Sequence, residues 1–263
     1  MKFKTLTLCT IVATLSLAWA AEDAAEIMRK SHLALYYAGN DQVTDVHMKI
    51  VDQKGKERVR EFAMLRLDLE EGGDQRYYTY FKKPADVARM TFMVHKSVAG
   101  NDARWIYIPA VDLVKPVSAD DKSSSFVGSD FSYEDVSGRH WSEDTHRLLP
   151  DSTIDGAAVY VVESTPKKDD KSFAKKLSYI DKATMLPLRE RYFDKKGSLS
   201  RVFAAEKIDT ANGITTVMVR SMEDVYAKRK TTVTFLSVST NVGLKEEIFT
   251  ERFLKSPPRE FIK

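Results

Sequence analysis

A recurring two-residue alternation narrows the fold of this chain more than any other feature. Such alternation puts successive side chains on opposite faces of an extended strand. Val46, Met48 and Ile50 alternate with Asp45, His47 and Lys49 up to a turn at Gln53-Lys54-Gly55. Val59, Ala63, Leu65, Leu67 and Leu69 then share one side, with Arg58, Arg60, Arg66 and Asp68 opposite, so the two runs read as a hairpin with one apolar face. A tyrosine-rich strand over 75–81, one over 89–96 with Phe92 and Val94 on the same side, and one over 158–164 follow. The second half is regular, with strands over 173–181, 188–194, 199–209, 214–226 and 231–239, and hairpin turns at Lys195-Lys196-Gly197 and Asn212-Gly213. Residues 141–155 are polar and broken by Pro150, and 246–254 read as a short helix or a final strand. Helical spacing is clearest over 22–37, through Ala25, Met28, His32 or Leu33, and Leu35 or Tyr36, stopped by Gly39-Asn40. Ten or more antiparallel strands with little helix predict an α+β, mostly antiparallel fold. The sheet is expected to be open and strongly curved, a half-barrel with helices over its concave face.

The first residues read separately. Lys2 and Lys4 precede an apolar run from Leu6 to Trp19, and Ala18-Trp19-Ala20 is a small-x-small cleavage site. This predicts a secretory signal peptide over 1–20, cleaved after Ala20, and a single exported domain over 21–263. The only cysteine, Cys9, lies within that run, where it fits no lipobox, so no disulfide or thiolate chemistry is expected after cleavage. Losing Lys2 and Lys4 lowers the formal charge from +3 to +1, which is no footprint for nucleic acid or for strong adhesion to anionic membrane. No later stretch is long and apolar enough for a membrane-spanning helix.

Between the two halves lies the least regular stretch, 103–139. Trp105-Ile106-Tyr107-Ile108 is an apolar run without alternation, so both faces of that strand should meet apolar neighbours. A short strand over 111–117, broken by Pro116, and a polar loop over 118–125 come next. Phe126, Phe131 and Tyr133 then sit among Gly128, Ser129, Asp130, Glu134 and Asp135. Three aromatics in so polar a loop predict a flap over apolar surface rather than a plain connector.

The run Trp105-Ile106-Tyr107-Ile108-Pro109-Ala110, followed by Ser125-Phe126-Val127-Gly128-Ser129-Asp130-Phe131-Ser132-Tyr133-Glu134-Asp135, resembles the LolA-like periplasmic outer membrane lipoprotein-sorting family. Within it, the resemblance is to the branch associated with exporters of the resistance-nodulation-division (MMPL) type. It is densest over 80–139. It implies the half-barrel fold, an acyl-bearing lipid or lipoprotein as ligand, a possible inner-membrane transporter as partner, and no catalytic residue or cofactor.

Residue types that would carry chemistry are sparse. His140 and His146 flank the one local cluster of ligand types, but their spacing matches no helical zinc pair, and a polar loop is the better reading. Gly128-Ser129-Asp130 lacks the glycine that would complete a nucleophile elbow. A hydrolase built from Ser129, His140 and Asp130 is therefore ranked below a loop that hydrogen-bonds its own backbone. Glu134 and Asp135 would face opposite ways on a strand.

The expected site is thus a lipid cavity lined by Met48, Ile50, Leu65, Leu67, Phe92, Trp105 and Tyr107, left open because its covers fill it incompletely. Phe126, Gly128, Ser129, Asp130, Phe131 and Tyr133 would form its gate. The alternative from another class is a non-catalytic envelope sensor or scaffold without lipid cargo. A cavity too small for an acyl chain would favour that alternative.

Overall fold

Thirteen strands of the described residues form one continuous antiparallel sheet in the computed structural model. The structure describes residues 23–118, 121–211 and 213–262, so the leader expected over 1–20, with Cys9, and Asn212 of the expected turn lie outside it. After helix α1 (Ala24–Tyr36) come β1 (Asp41–Val51), β2 (Glu57–Asp68), β3 (Gln75–Lys83), β4 (Thr91–Lys96), β5 (Ala103–Ile108) and β6 (Leu113–Val117). The short helix α2 (Tyr133–Ser137) separates these from β7 (Asp144–Ile154), β8 (Ala157–Pro166), β9 (Lys175–Asp181) and β10 (Pro187–Phe193). Strands β11 (Leu199–Ala211), β12 (Ile214–Asp224) and β13 (Arg229–Thr240) and helix α3 (Glu251–Lys255) complete the chain.

The order across the sheet is β6-β5-β4-β3-β2-β1-β13-β12-β11-β10-β9-β8-β7. It is an open, curved sheet, as the alternation predicts, with β1 and β13 adjacent and β6 and β7 at the two edges. Both edges carry a proline, Pro116 in β6 and Pro150 in β7. Proline has no N–H to donate, and an edge is where a sheet tolerates it and where it blunts further pairing. Pro150, read from sequence as a break, therefore interrupts pairing only locally, at the irregularity between Leu149 and Ser152.

Strands β6 and β7 are consecutive in the chain yet lie at opposite edges, so the connection between them must cross a face of the sheet. It crosses the face we call inner. Register places Val46, Met48 and Ile50 beside Phe235, Val233 and Thr231 on that face, and Phe62 beside Phe81. Helix α1 covers the same face over the β7–β10 half, packing Ile27 and Met28 against Val162 and Ile180. Asp23 caps α1, its carboxylate accepting from the Ala25 N–H at 3.1 Å. The opposite, outer face is covered by residues 244–262. Leu244, Ile248, Phe249, Leu254 and Ile262 pack on Ala63, Leu65, Tyr78 and Met93. The stretch 246–254, which reads two ways in sequence, is helical: a 3-10 turn and then α3.

Candidate functional site

The inner face of β1–β5 and β11–β13 is a continuous apolar surface, built from Val46, Met48, Ile50, Phe62, Phe81, Phe92, Phe203, Met222, Val233 and Phe235 among others. The crossing segment lays Phe126, Phe131 and Val136 into it, and all three are buried. Phe126 is the hub. Its ring lies 5.4 Å from Phe92, 5.7 Å from Tyr133, 5.8 Å from Phe81 and 6.3 Å from Phe62, in edge-to-face or tilted arrangements. Such geometry suits the positive edge and negative face of aromatic rings.

The seven residues expected to line one cavity divide between the two faces. Met48, Ile50 and Phe92 belong to the inner surface. Leu65 is buried on the outer face, where Leu67, Trp105 and Tyr107 pack beside it against the C-terminal residues. The cause is register: Val46 of β1 pairs with Phe62 of β2, so Phe62 and Met64 look inward while Ala63 and Leu65 look outward. Strand β2 is apolar on both sides, and Arg60 and Arg66, read as its solvent face, are buried inward. Arg66 donates to the carbonyls of Ala38 at 2.8 Å and Gly39 at 2.6 Å and pairs with Asp68 at 3.1 Å. The Trp105 strand meets apolar neighbours on both faces, as its lack of alternation predicts, with Ile106 buried inward and Trp105 and Tyr107 partly buried outward.

Among the described residues, the hollows that touch the inner cluster are small, and one beside Met218 and Val238 measures 130 Å³. One hollow of 60 Å³ lies between α1 and β9–β11, and one of 40 Å³ lies beneath Tyr36 and Val136. At about 15 Å³ per water the two smaller ones hold a few water molecules, whereas ligand pockets run to about 300–1,000 Å³. Phe126, Phe131 and Val136 are seated on the inner surface where open space is expected from sequence.

Each residue expected from sequence to form a gate has a definite place. Phe126, Ser129, Asp130 and Phe131 are buried, and Tyr133 packs at the rim of the aromatic cluster. Val127 takes a left-handed conformation at φ 48°, which turns the chain so that the Gly128 carbonyl accepts from Arg58 at 3.2 Å. Gly128 itself sits at φ 79°, where only glycine is unstrained. Asp130 is the main anchor. Its carboxylate accepts from Arg229 at 2.6 Å and from the Thr231 hydroxyl at 2.6 Å, while its own N–H donates to Thr231 at 3.0 Å. Glu134 and Asp135 lie on the helical turn α2, not on a strand. Ser132 and Asp135 form a capping box there. Burial would raise the Asp135 carboxyl, but Arg201 at 2.8 Å and the Ser132 groups leave it below its ordinary value. Glu134 is raised by burial despite its ion pair with Lys122 at 2.7 Å. Buried Lys96 donates to the carbonyls of Ser137 and Gly138.

The anchors Arg58, Arg201, Arg229 and Thr231 are absent from the sequence-derived site. No spacing rule points to them, because each lies more than sixty residues from its partner.

Ser129, Asp130 and His140 do not meet as a triad. The Ser129 hydroxyl donates to the Phe131 carbonyl, Asp130 is engaged as above, and His140 contacts Ser142. His146 shares hydrogen bonds with the Ser164 hydroxyl and the Trp141 carbonyl. Among the described residues no group of three or more His, Cys, Asp or Glu side chains could hold a metal ion. His32 of α1 is buried against Tyr36, Tyr37 and His140, and desolvation with nearby Lys96 holds its pKa well below the usual imidazole range. No helix of the described residues is long and apolar enough to cross a membrane.

Comparison with known proteins places these features in context. A family model described as "-like: Uncharacterized protein" matches residues 73–256. No curated protein matches the chain. An outer membrane lipoprotein-sorting protein domain from Vibrio parahaemolyticus superposes with a TM-score of 0.82 at 26% identity, covering 88% of this chain and 98% of its own. A DUF1329 family protein from Desulfovibrio piger superposes with a TM-score of 0.82, also at 26% identity, over 88% of this chain and 97% of its own. A LolA superfamily protein from Nitrosomonas europaea shares the fold with a TM-score of 0.70 at 18% identity, covering 89% and 100%.

Proposed function

We propose, from the premise that this chain belongs to the LolA-like family of outer membrane lipoprotein-sorting proteins, that it is a periplasmic carrier with a closed resting state. Its cargo is the acyl chain of a lipid or lipoprotein, and the site is the inner apolar surface. The segment 125–137 occupies that surface in place of cargo. The observation that carries this reading is the seating of Phe126, Phe131 and Val136 in the inner cluster, held down by polar anchors.

Magnitudes allow such an exchange. Burying a large apolar side chain stabilises by about 1.5–3 kcal/mol, so lifting these three costs about 5–9 kcal/mol, before the anchors. Burying an acyl chain of about sixteen carbons returns on the order of 12 kcal/mol. The two nearly cancel, which suits a carrier that must also release. We infer transfer toward the outer membrane from an inner-membrane exporter of the MMPL type, following the resemblance of residues 128–135. We assign no catalysis and no cofactor.

A second reading has its own support. The hollows described at the inner face measure 60, 40 and 130 Å³, while one of 650 Å³ lies on the outer face. That contrast favours a non-catalytic envelope module without lipid cargo.

One experiment separates the two. Asp130 and Thr231 touch, so Asp130→Cys with Thr231→Cys would lock the segment down on oxidation. For the carrier, native mass spectrometry of protein purified from membranes finds lipid. Fluorescent fatty acid then binds the reduced double variant and not the oxidised one. If no lipid co-purifies and neither redox form binds the fatty acid, the carrier reading falls and the envelope module stands.

A further inference from the structure

The hollow on the outer face has a chemistry of its own. It lies between β3, β5 and the C-terminal residues, on the side of the sheet away from the crossing segment, and measures 650 Å³. Four cations line it, Lys82, Arg89, Lys255 and Arg259, and no carboxylate does. Two of the four are neutralised from outside: Lys82 pairs with Asp45 at 2.6 Å, and Lys255 with Asp112 at 2.8 Å. Arg89 and Arg259 make no ion pair among the described residues. Two uncompensated guanidinium groups in one concavity attract an anion.

Arg89 adds a second observation. Its backbone sits at φ 66°, fixed by its N–H donating to the Phe81 carbonyl at 2.8 Å. A side chain larger than glycine or asparagine is disfavoured in that region by roughly 1 kcal/mol or more. Arg89 stands in that conformation with its side chain lining the groove.

Arginine's planar fork of donors matches phosphate oxygens and outperforms a point charge in that setting. A bare phosphate would leave most of 650 Å³ empty, and the tyrosines Tyr80 and Tyr107 offer walls for an organic portion. We propose that this groove binds a phosphate ester, its charge held between Arg89 and Arg259 and its organic part against the tyrosines. The site is independent of the carrier reading. A chain with its inner segment locked down still binds here.

The test uses the full chain, the double variant Arg89→Gln with Arg259→Gln, and Arg147→Gln as a control for loss of an exposed charge elsewhere. Calorimetric titration with glycerol 3-phosphate probes soluble esters. Sedimentation with phosphatidylcholine vesicles, with and without phosphatidylglycerol, probes headgroups. The expected result is binding in at least one arm, weakened tenfold or more in the double variant, unchanged in the control, and weakened by added salt, with an unaltered melting temperature. Binding to glycerol 3-phosphate identifies a soluble ester as sufficient, and binding to phosphatidylglycerol vesicles alone identifies the headgroup. Absence of binding in both arms, or a double variant that binds like the parent or like Arg147→Gln, overturns the proposal.

Discussion

The two faces of the sheet are both apolar and both covered by the chain itself, yet they are covered in different ways. On the outer face, sheet side chains hold main-chain groups of the C-terminal residues. The Tyr78 hydroxyl donates to the Phe253 carbonyl at 2.7 Å, the Thr91 hydroxyl donates to the Leu254 carbonyl at 2.8 Å, and the His95 ring contacts the Phe249 carbonyl at 2.7 Å. Asp41 accepts from three successive N–H groups, those of Val242, Gly243 and Leu244. On the inner face, arginines of the sheet hold carboxylates of the cover, Asp130 and Asp135. The outer cover is held mostly along its backbone, with one ion pair from Arg76 to Glu246 at 2.7 Å. The inner cover adds to its main-chain contacts with Arg58 and Lys96 two carboxylates of its own, each paired with an arginine of the sheet.

The contrast breaks most visibly at the outer cover. Leu254 is fully buried there, and Leu254→Ala should cost about 2–5 kcal/mol of global stability, read as a fall in denaturant midpoint. A near-neutral result would mean that the C-terminal cover is not part of the core. Smaller, and local, is the effect of Asp130→Ala. Hydrogen bonds to a charged group contribute about 1.5–3 kcal/mol, so amide exchange over 125–137 should speed up by roughly ten- to a hundredfold. Exchange over 244–262 should not change; if both covers loosen together, they are not independent.

Acidity sharpens the comparison further. Burial, with Lys96 nearby, depresses His32. The unfolded chain therefore takes up protons that the folded chain refuses, and stability falls as pH drops below about 6.5. Asp68, pushed up to about 6 by burial, acts the other way: the folded state binds the extra proton between about pH 6 and pH 4, which favours folding as pH falls there. Melting temperature should thus decline less steeply in the parent than in Asp68→Asn, and His32→Phe should flatten the decline. The Asp135 anchor, lowered by Arg201, should persist until pH falls below about 4, so exchange over 125–137 should stay slow down to that point. The smallest effect belongs to Arg147→Ala. Its pair with Glu163 is exposed on the arginine side, and the change should lie within about 0.5 kcal/mol by chemical denaturation.

Strand boundaries were legible because alternation is local. The five strands expected after residue 173 all appear, with ends shifted by a few residues. The apolar seating of Phe126, Phe131 and Tyr133 was legible too, since three aromatics in a polar loop demand an apolar surface. Two things escaped. Residues 144–154 form an edge strand whose polar composition and proline hide it, because an edge needs pairing on one side only. The lining of the site was assigned to one face when Leu65, Leu67, Trp105 and Tyr107 lie on the other. With both faces of β2 apolar, the pattern along one strand does not say which face is inner; only pairing with β1 does.

What the chain's own order of residues determined is therefore the repertoire: many paired strands, one early helix, and an aromatic segment seeking cover. Those follow from side-chain periodicity and turn chemistry, which act over a few residues. Tertiary structure alone decided that β6 and β7 end at opposite edges, that their connection must cross the inner face, and that Asp130 there meets Arg229 and Thr231. It also gathered Arg89 and Arg259 into one groove. Contacts between residues about a hundred or more apart depend on how the whole sheet pairs, and no local pattern carries that information.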